Sequence, residues 1–487
     1  MKKIDPLKIS NSRSSLSRHK RNGKLLVPPF CQIPNIHLMS WVNDRLPEML
    51  WAILIISNLK RPDALSFFRK TAHYFSDLVE GDQPADLTLT TLGKLDGSLL
   101  EGFIESICAD KRIRNTLSPM LLLDSLPGKK IWEERITSNI SDSERWQALQ
   151  YSVYCCYDHQ SQESTDCRWV RVYYQILRNK LHFPTPEYVK EILLYPRYGD
   201  MRAVRPTIRA AEGVITSLVE SEKNPFDSWS TDFWKECLKK TSCIGLPALR
   251  QDGEETMSPS AASIGELIEQ LSAHCERSRS TTGIDAEFDT TFGIALYCLR
   301  IYYEVLDKGT STTIISRMAL RGIVECYITL KYLVENNNPD LWLTYRTYGT
   351  SQAKLALLKY EEMGCHPECV DYDLLKMNAN QDVSQEFTTI NLGNWEKTNL
   401  RVMSDKAGVK SEYDSYYNWS SGYIHGTWSA INESVYDICV NPLHRFHKIP
   451  KNGSIELKSI DQDAISLLNK ILDVVDLKYP SFSQRIV

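Results

Sequence analysis

The chain has 487 residues, a length that predicts roughly two to four domains. Hydrophobic residues make up 42% and charged residues 24%, so a sizeable core can form and wholesale disorder is excluded. The 57 lysines and arginines stand against 61 acids, giving a net charge of −4, which excludes a chain-wide basic footprint for nucleic acid but not a local patch.

Residues 1–35 are basic (Lys2, Lys3, Lys8, Arg13, Arg18, Lys20, Arg21, Lys24) and rich in Ser and Asn. That composition predicts a flexible leader; the other reading is an arm that touches phosphate or acidic lipid. No apolar stretch and cleavage site follow directly, so nothing argues for secretion. Met49–Ile56 is the longest strongly apolar run and is shorter than the roughly 20 residues needed to span a bilayer. Leu46–Ile56 is apolar nearly all round and reads as a core helix. The 13 cysteines are an odd number scattered through expected helices, as at Cys298 and Cys326, which fits reduced thiols in the cytoplasm.

Helical signals recur along the chain, whereas alternating strand patterns bounded by Asn-Gly or Asp-Gly turns are scarce. Ser141–Glu144 and Ser263–Glu266 each have the form of a capping box. Thr185-Pro186-Glu187 and Asn338-Pro339-Asp340 place a capping side chain before a proline at the first helical position. Phe292, Ala295, Leu296, Leu299, Tyr302 and Tyr303 form one helical stripe, and Leu467, Leu468, Ile471, Leu472 and Val475 another. The expected fold is all-α in two parts: an N-terminal helical domain over 36–245 and a C-terminal helical bundle over 263–487. The polar stretch Arg250–Ala262, punctuated by Gly and Pro, places a linker or long loop at 246–262. A stretch rich in Asn, Asp and Thr, from about Cys369 to Asp405, predicts a loop excursion. No fixed-period repeat is apparent.

Between Tyr195 and Arg209 four arginines lie among tyrosines, a composition that suits either phosphate and base stacking or a solvated loop and helix start. Farther on, Arg317, Arg321 and Glu325 recur every four residues, so a helix stacks them on one side. The apolar neighbours Met318, Leu320, Ile323, Val324, Ile328 and Leu330 imply partial burial, and buried arginines need partners. In Tyr413–Val435 the same spacing aligns Tyr417, Ser421 and His425, with Asn432 near the line. Gly422, Gly426 and Ala430 make a small-residue stripe beside it. Glycine in a helix interior costs about 0.5–1 kcal/mol, so two of them suggest close approach by a backbone or a ligand.

An imidazole has the right intrinsic pKa to move protons near neutral pH. With Arg321 or Arg317 opposite, His425 is suited to an anionic group, the arginine holding a phosphate oxygen. The structural alternative is a core histidine hydrogen-bonded to Ser421 or to a backbone carbonyl, and an Arg–Glu pair that orders a helix contact.

The order Arg321-x3-Glu325, then the aromatic Trp342, Tyr345, Tyr348 and Gly349, then Tyr417-x3-Ser421-x3-His425 resembles the bacterial domain of unknown function 5677 family, over about residues 285–440. The resemblance implies a helical fold and a bacterial setting, and no established reaction. A looser similarity is to HEPN-type helical domains, many of them metal-independent ribonucleases of toxin–antitoxin and phage-defence systems. Their R-x4-6-H signature is approached by Ser420-x4-His425, but no arginine lies between Arg401 and Arg445, so Arg317 or Arg321 would have to serve from another helix.

Cys365-His366-Pro367-Glu368-Cys369 and His444-x2-His447 offer metal-ligating side chains, but their spacing departs from the usual zinc patterns, so neither a metal nor a cofactor is expected. No nucleotide-cradling or zincin motif occurs. Two functions follow as expectations. One is a defence or toxin-type effector cleaving RNA without metal: His425 as general acid or base, Arg321 and Arg317 on the phosphate, Ser421 and Tyr417 orienting the imidazole, Glu325 paired to Arg321. The other is a non-catalytic helical sensor or scaffold for a protein or nucleic-acid partner. RNA or a protein from a defence operon is the expected partner, a membrane is not, and the oligomeric state, homodimer included, is open.

Overall fold

The computed structural model describes residues 15–32, 40–79, 86–136, 139–183, 185–195, 202–220, 229–245, 258–381, 387–451, 453 and 457–487. Helix accounts for 69% of the described residues, which otherwise include two small antiparallel sheets, so the fold is all-α as expected. The chain divides into two compact units, Met1–Pro247 with Ile438–Ile449, and Ala248–Asp437 with Pro450–Val487. Segment 438–449, placed by sequence with the C-terminal bundle, therefore joins the first unit. Residues 246–257 of the expected linker lie outside the described residues. No helix among the described residues is long and apolar enough to cross a membrane.

In the first unit the Leu50–Asn58 helix has no polar face, and Leu50 through Ile56 are all buried. Such a helix must be covered on every side. Arg61–Leu78, Lys111–Leu117, Asp142–Cys155 and Gln162–Leu177 surround it. The indole N–H of Trp51 donates to the Leu87 carbonyl at 2.9 Å, and the ring meets Phe68 and Phe103 edge-on. The Ser141 capping box forms as expected.

The Gln162–Leu177 helix buries charge rather than only apolar surface. Arg171 reaches Asp86 at 2.6 Å and Glu212 at 2.8 Å, and Asp166 takes Arg61 at 2.6 Å. Tyr195 donates to Asp166 at 2.5 Å, while Arg205 donates to Gln162 at 2.6 Å. Those two members of the Tyr195–Arg209 stretch are thus structural, and 196–201 lie outside the described residues. Of the basic leader, 1–14 and 33–35 are likewise outside, as are 36–39 at the start of the expected N-terminal domain. Lys20–Asn22 pairs antiparallel with Leu25–Val27, a short hairpin that sequence did not indicate.

The second unit packs Ala261–Ser278, Ala286–Asp307, Ile314–Asn336 and Asp461–Lys478 around one core. Phe292, Ala295, Leu299 and Tyr302 are buried, as are Leu467, Leu468, Ile471, Leu472 and Val475. Asn338 caps Pro339–Met363 through the Asp340 N–H at 3.0 Å. The second expected capping box does not form. Ser260 caps the Ala261–Ser278 helix and Ser263 sits inside its first turn. The expected loop excursion carries two helices, Tyr372–Ala379 and Leu400–Lys406, with 382–386 outside the described residues.

Candidate functional site

Arg317, Arg321 and Glu325 lie on the continuous helix Ile314–Asn336, so their spacing does align them. Arg321 is held from two directions. On its own helix it pairs with Glu325, and its Nη2 donates to the Tyr417 hydroxyl at 2.7 Å. The guanidinium also lies 4.2 Å from the centre of the Tyr417 ring, whose other neighbour is a stacked Tyr413. A planar cation over an aromatic face combines electrostatic attraction with close packing. Arg317 is buried and donates to the Lys458 carbonyl at 2.6 Å. It also acts on Tyr423, whose hydroxyl donates to Glu433 at 2.7 Å. Burial, with the Glu433 carboxylate, pushes the Tyr423 phenol up to about 12. Tyr423 and Glu433 were not singled out from sequence, because they lie ten residues apart on separate helices.

The Tyr–Ser–His line is not one helix face. Tyr413–Tyr417 is a π-helical turn, Asn418–Ile424 is α-helical, and a second helix begins only at Trp428. His425 is the C-cap between them and is exposed. Its ring makes no hydrogen bond among the described residues, and neither does the Ser421 hydroxyl. Asn432 belongs to the Trp428–Val435 helix, and its Oδ1 is buried without a partner. Of the six expected site residues, then, Glu325 and Tyr417 are linked through Arg321, Arg317 bonds instead to the Lys458 carbonyl, and the Ser421 and His425 side chains make no hydrogen bond to any of them among the described residues.

The two glycines have local causes. The Thr427 N–H closes on the Gly422 carbonyl at 2.9 Å, the six-residue bond of a Schellman turn, and Gly426 takes φ +58°. A Cβ at Gly422 would stand 2.7 Å from the Thr427 hydroxyl oxygen. The close approach is real, but it comes from the returning chain.

A cavity of about 260 Å³ does open in the second unit, elsewhere than expected. Thr344, Thr347, Tyr348, Ser351, Phe387 and Thr388 line it, and none of the six expected residues does. Most of the described lining residues carry a hydroxyl on an otherwise apolar surface, and none of them carries a carboxylate, imidazole or thiol.

Residues 298–437 match the family of unknown function DUF5677. No curated protein and no solved structure matches the chain. The matched segment contains Arg317, Arg321, Glu325, Tyr417, Ser421 and His425, and ends just short of the returning segment 438–449. Within the DUF5677 segment, Trp419, Ile424, Trp428, Ile431 and Val435 are all exposed apolar side chains.

Metal-ligating side chains are found outside that match. Cys243, Cys439, His444 and His447 offer one donor atom each, all within 4.8 Å of one another. The sequence spacing of His444 and His447 did not point to this grouping, because the other two side chains come from Cys439 and from the distant Cys243. Cys365, His366 and Cys369 do not assemble into such a group among the described residues.

Proposed function

We propose that the protein is a non-catalytic helical scaffold that binds a protein partner through the exposed apolar side chains of residues 419–435. One observation carries this reading: among the described residues no hydrogen bond links the expected catalytic pair, Arg321 and His425. Arg321 has its charge paired with Glu325 and its Nη2 bonded to Tyr417, its Nε being buried without a partner, and His425 stands exposed with no hydrogen bond to its ring among the described residues. General acid–base catalysis needs an imidazole held in reach of the proton it moves. What 419–435 offers instead is two exposed tryptophans with three aliphatic side chains. Tryptophan is enriched among residues that dominate binding energy, and concentrated exposed apolar surface marks interaction sites.

The competing reading, metal-independent phosphodiester cleavage, draws on the accessibility of His425. Both are tested on the same purified chain. Trp419→Ala with Trp428→Ala should keep the circular-dichroism spectrum and abolish capture of a host protein that the unaltered chain retains. His425→Ala should leave that capture unchanged, and single-stranded RNA incubated with the unaltered protein and EDTA should stay intact. RNA cleavage that disappears in His425→Ala would overturn the scaffold reading.

A further inference from the structure

The 438–449 segment belongs to the first unit although the residues before and after it belong to the second, and within the first unit four side chains with metal-ligand chemistry meet at it. Cys439, His444 and His447 come from this segment as Cys-x4-His-x2-His, and Cys243 comes from just beyond the Ser230–Lys240 helix. Cys439 Sγ lies 3.3 Å from His444 Nδ1, and Cys243 Sγ lies 3.5 Å from His447 Nε2. A tetrahedral zinc with bonds of about 2.3 Å to sulfur and about 2.0 Å to nitrogen requires S···N separations of roughly 3.5 Å. We propose that Cys243, Cys439, His444 and His447 are a structural Cys2His2 zinc site that fastens 438–449 to the first unit.

The surrounding hydrogen bonds present the right atoms. The Thr241 hydroxyl donates its one proton to the Cys237 carbonyl at 2.7 Å. Towards His444 Nε2, 2.8 Å away, it is therefore an acceptor, so Nε2 carries the proton and Nδ1 keeps its lone pair for a metal. Asn441 donates to the same hydroxyl at 3.3 Å and to the Ser242 carbonyl at 2.9 Å, tying the turn to the Cys243 strand of chain. Cys439 is fully buried, and its sulfur accepts the Ile244 N–H at 3.4 Å. His447 Nδ1 is buried without a partner, so no hydrogen bond competes to set that ring's tautomer.

The backbone is held in the shape this convergence needs. Arg445 and Phe446, between the two histidines, both have positive φ, at 52° and 51°. Two successive non-glycine residues in the left-handed region persist only where the surroundings over-determine them. Here Arg445 lies 5.3 Å from the Trp234 ring centre, and Phe446 packs edge-on to Tyr157 at 4.6 Å. Two sulfurs and two imidazole nitrogens in a closed set favour zinc over harder cations and leave no open position for catalysis. A bond from Cys243 to the 439–447 turn closes a loop of about 200 residues, where a cross-link restricts the unfolded chain strongly.

Metal analysis of the full chain, purified under reductant, should give one zinc per chain. Replacement by cobalt should give the intense visible bands and sulfur charge-transfer absorption of a tetrahedral thiolate site. Cys439→Ser should lose the metal, and the exposed-site variant Cys243→Ser should weaken it while keeping the helical spectrum. Cys365→Ser with Cys369→Ser should retain the full equivalent. The proposal is overturned if the unaltered protein takes up neither metal, if Cys439→Ser still holds one equivalent, or if mass spectrometry finds Cys243 and Cys439 joined as a disulfide.

Discussion

Replacing Tyr417 separates the attachments of Arg321 one at a time. Tyr417→Phe removes the hydroxyl that accepts from Nη2 at 2.7 Å and keeps the ring 4.2 Å from the guanidinium. A hydrogen bond to a charged group contributes about 1.5–3 kcal/mol. The Arg321 side chain is 11% exposed and retains Glu325, so water and the carboxylate recover part of that, leaving an expected loss of about 1 kcal/mol. Tyr417→Leu also removes the cation–ring contact, worth roughly another 1 kcal/mol, together with the stacking on Tyr413. Glu325 is 45% exposed, so Glu325→Gln should cost no more than about 0.5 kcal/mol. The order of loss is therefore Tyr417→Leu, then Tyr417→Phe, then Glu325→Gln, read from urea unfolding of the second unit by hydrogen exchange. A neutral Tyr417→Phe, or a Glu325→Gln variant as costly as Tyr417→Leu, refutes the idea that Tyr417 locks Arg321.

In the first unit, Arg171→Met should destabilise by about 3–5 kcal/mol in chemical denaturation, because it leaves Asp86 buried without its cation. Burial alone would lower the Arg171 pKa, but Asp86 and Glu212 hold it above its ordinary value, so pH change within the neutral range should not mimic that loss. Glu236 accepts the Asp124 and Ser125 N–H groups at 2.6 and 2.7 Å; burial opposes its ionisation, but these bonds and Lys240 hold its pKa down. A depressed carboxylate stabilises above its unfolded pKa of about 4.3 and loses that contribution as pH falls through the folded value. Glu236→Gln should thus cost about 1–2 kcal/mol at pH 7, with the gap to the unaltered protein closing progressively below about pH 4. Gly426→Ala should cost about 1 kcal/mol in thermal unfolding, since φ +58° is strained for any residue with a Cβ.

Much of the architecture was legible because its signals are local. The Ser141–Glu144 box, the Asn338 cap and the Phe292–Tyr302 stripe each lie within a few turns of one helix, and each is found in place. Ser263 shows the limit of the pattern. Ser260 stands three residues upstream with the same chemistry, and the helix began there instead. The Gln162–Leu177 helix shows another limit. Its run Thr165-Asp-Cys-Arg-Trp-Val-Arg171 gives no sign that Asp166, Arg168 and Arg171 are all buried, since their partners Arg61, Asp86 and Glu212 lie on other segments.

The polar stripes divide by the same logic. Arg321 and Glu325 were aligned correctly because 314–336 is one unbroken helix. Tyr417, Ser421 and His425 were aligned by a period that the chain does not keep: a π-helical turn precedes Asn418, and a Schellman turn ends the helix at His425. Gly426-Thr427 held the clue, as glycine one place past a helix end is the commonest stop signal, but inside an apolar-rich run it also reads as a contact surface. That break bears on function as well as on prediction. A helix end turns His425 out to solvent and removes the neighbouring turn that would have oriented its ring. The Cys439–His447 turn does the reverse, with two left-handed residues bending the backbone until both imidazoles face Cys243 and Cys439. Convergent side chains in this protein therefore arise where the backbone is bent and packed against another segment, not where a spacing of four residues is merely repeated.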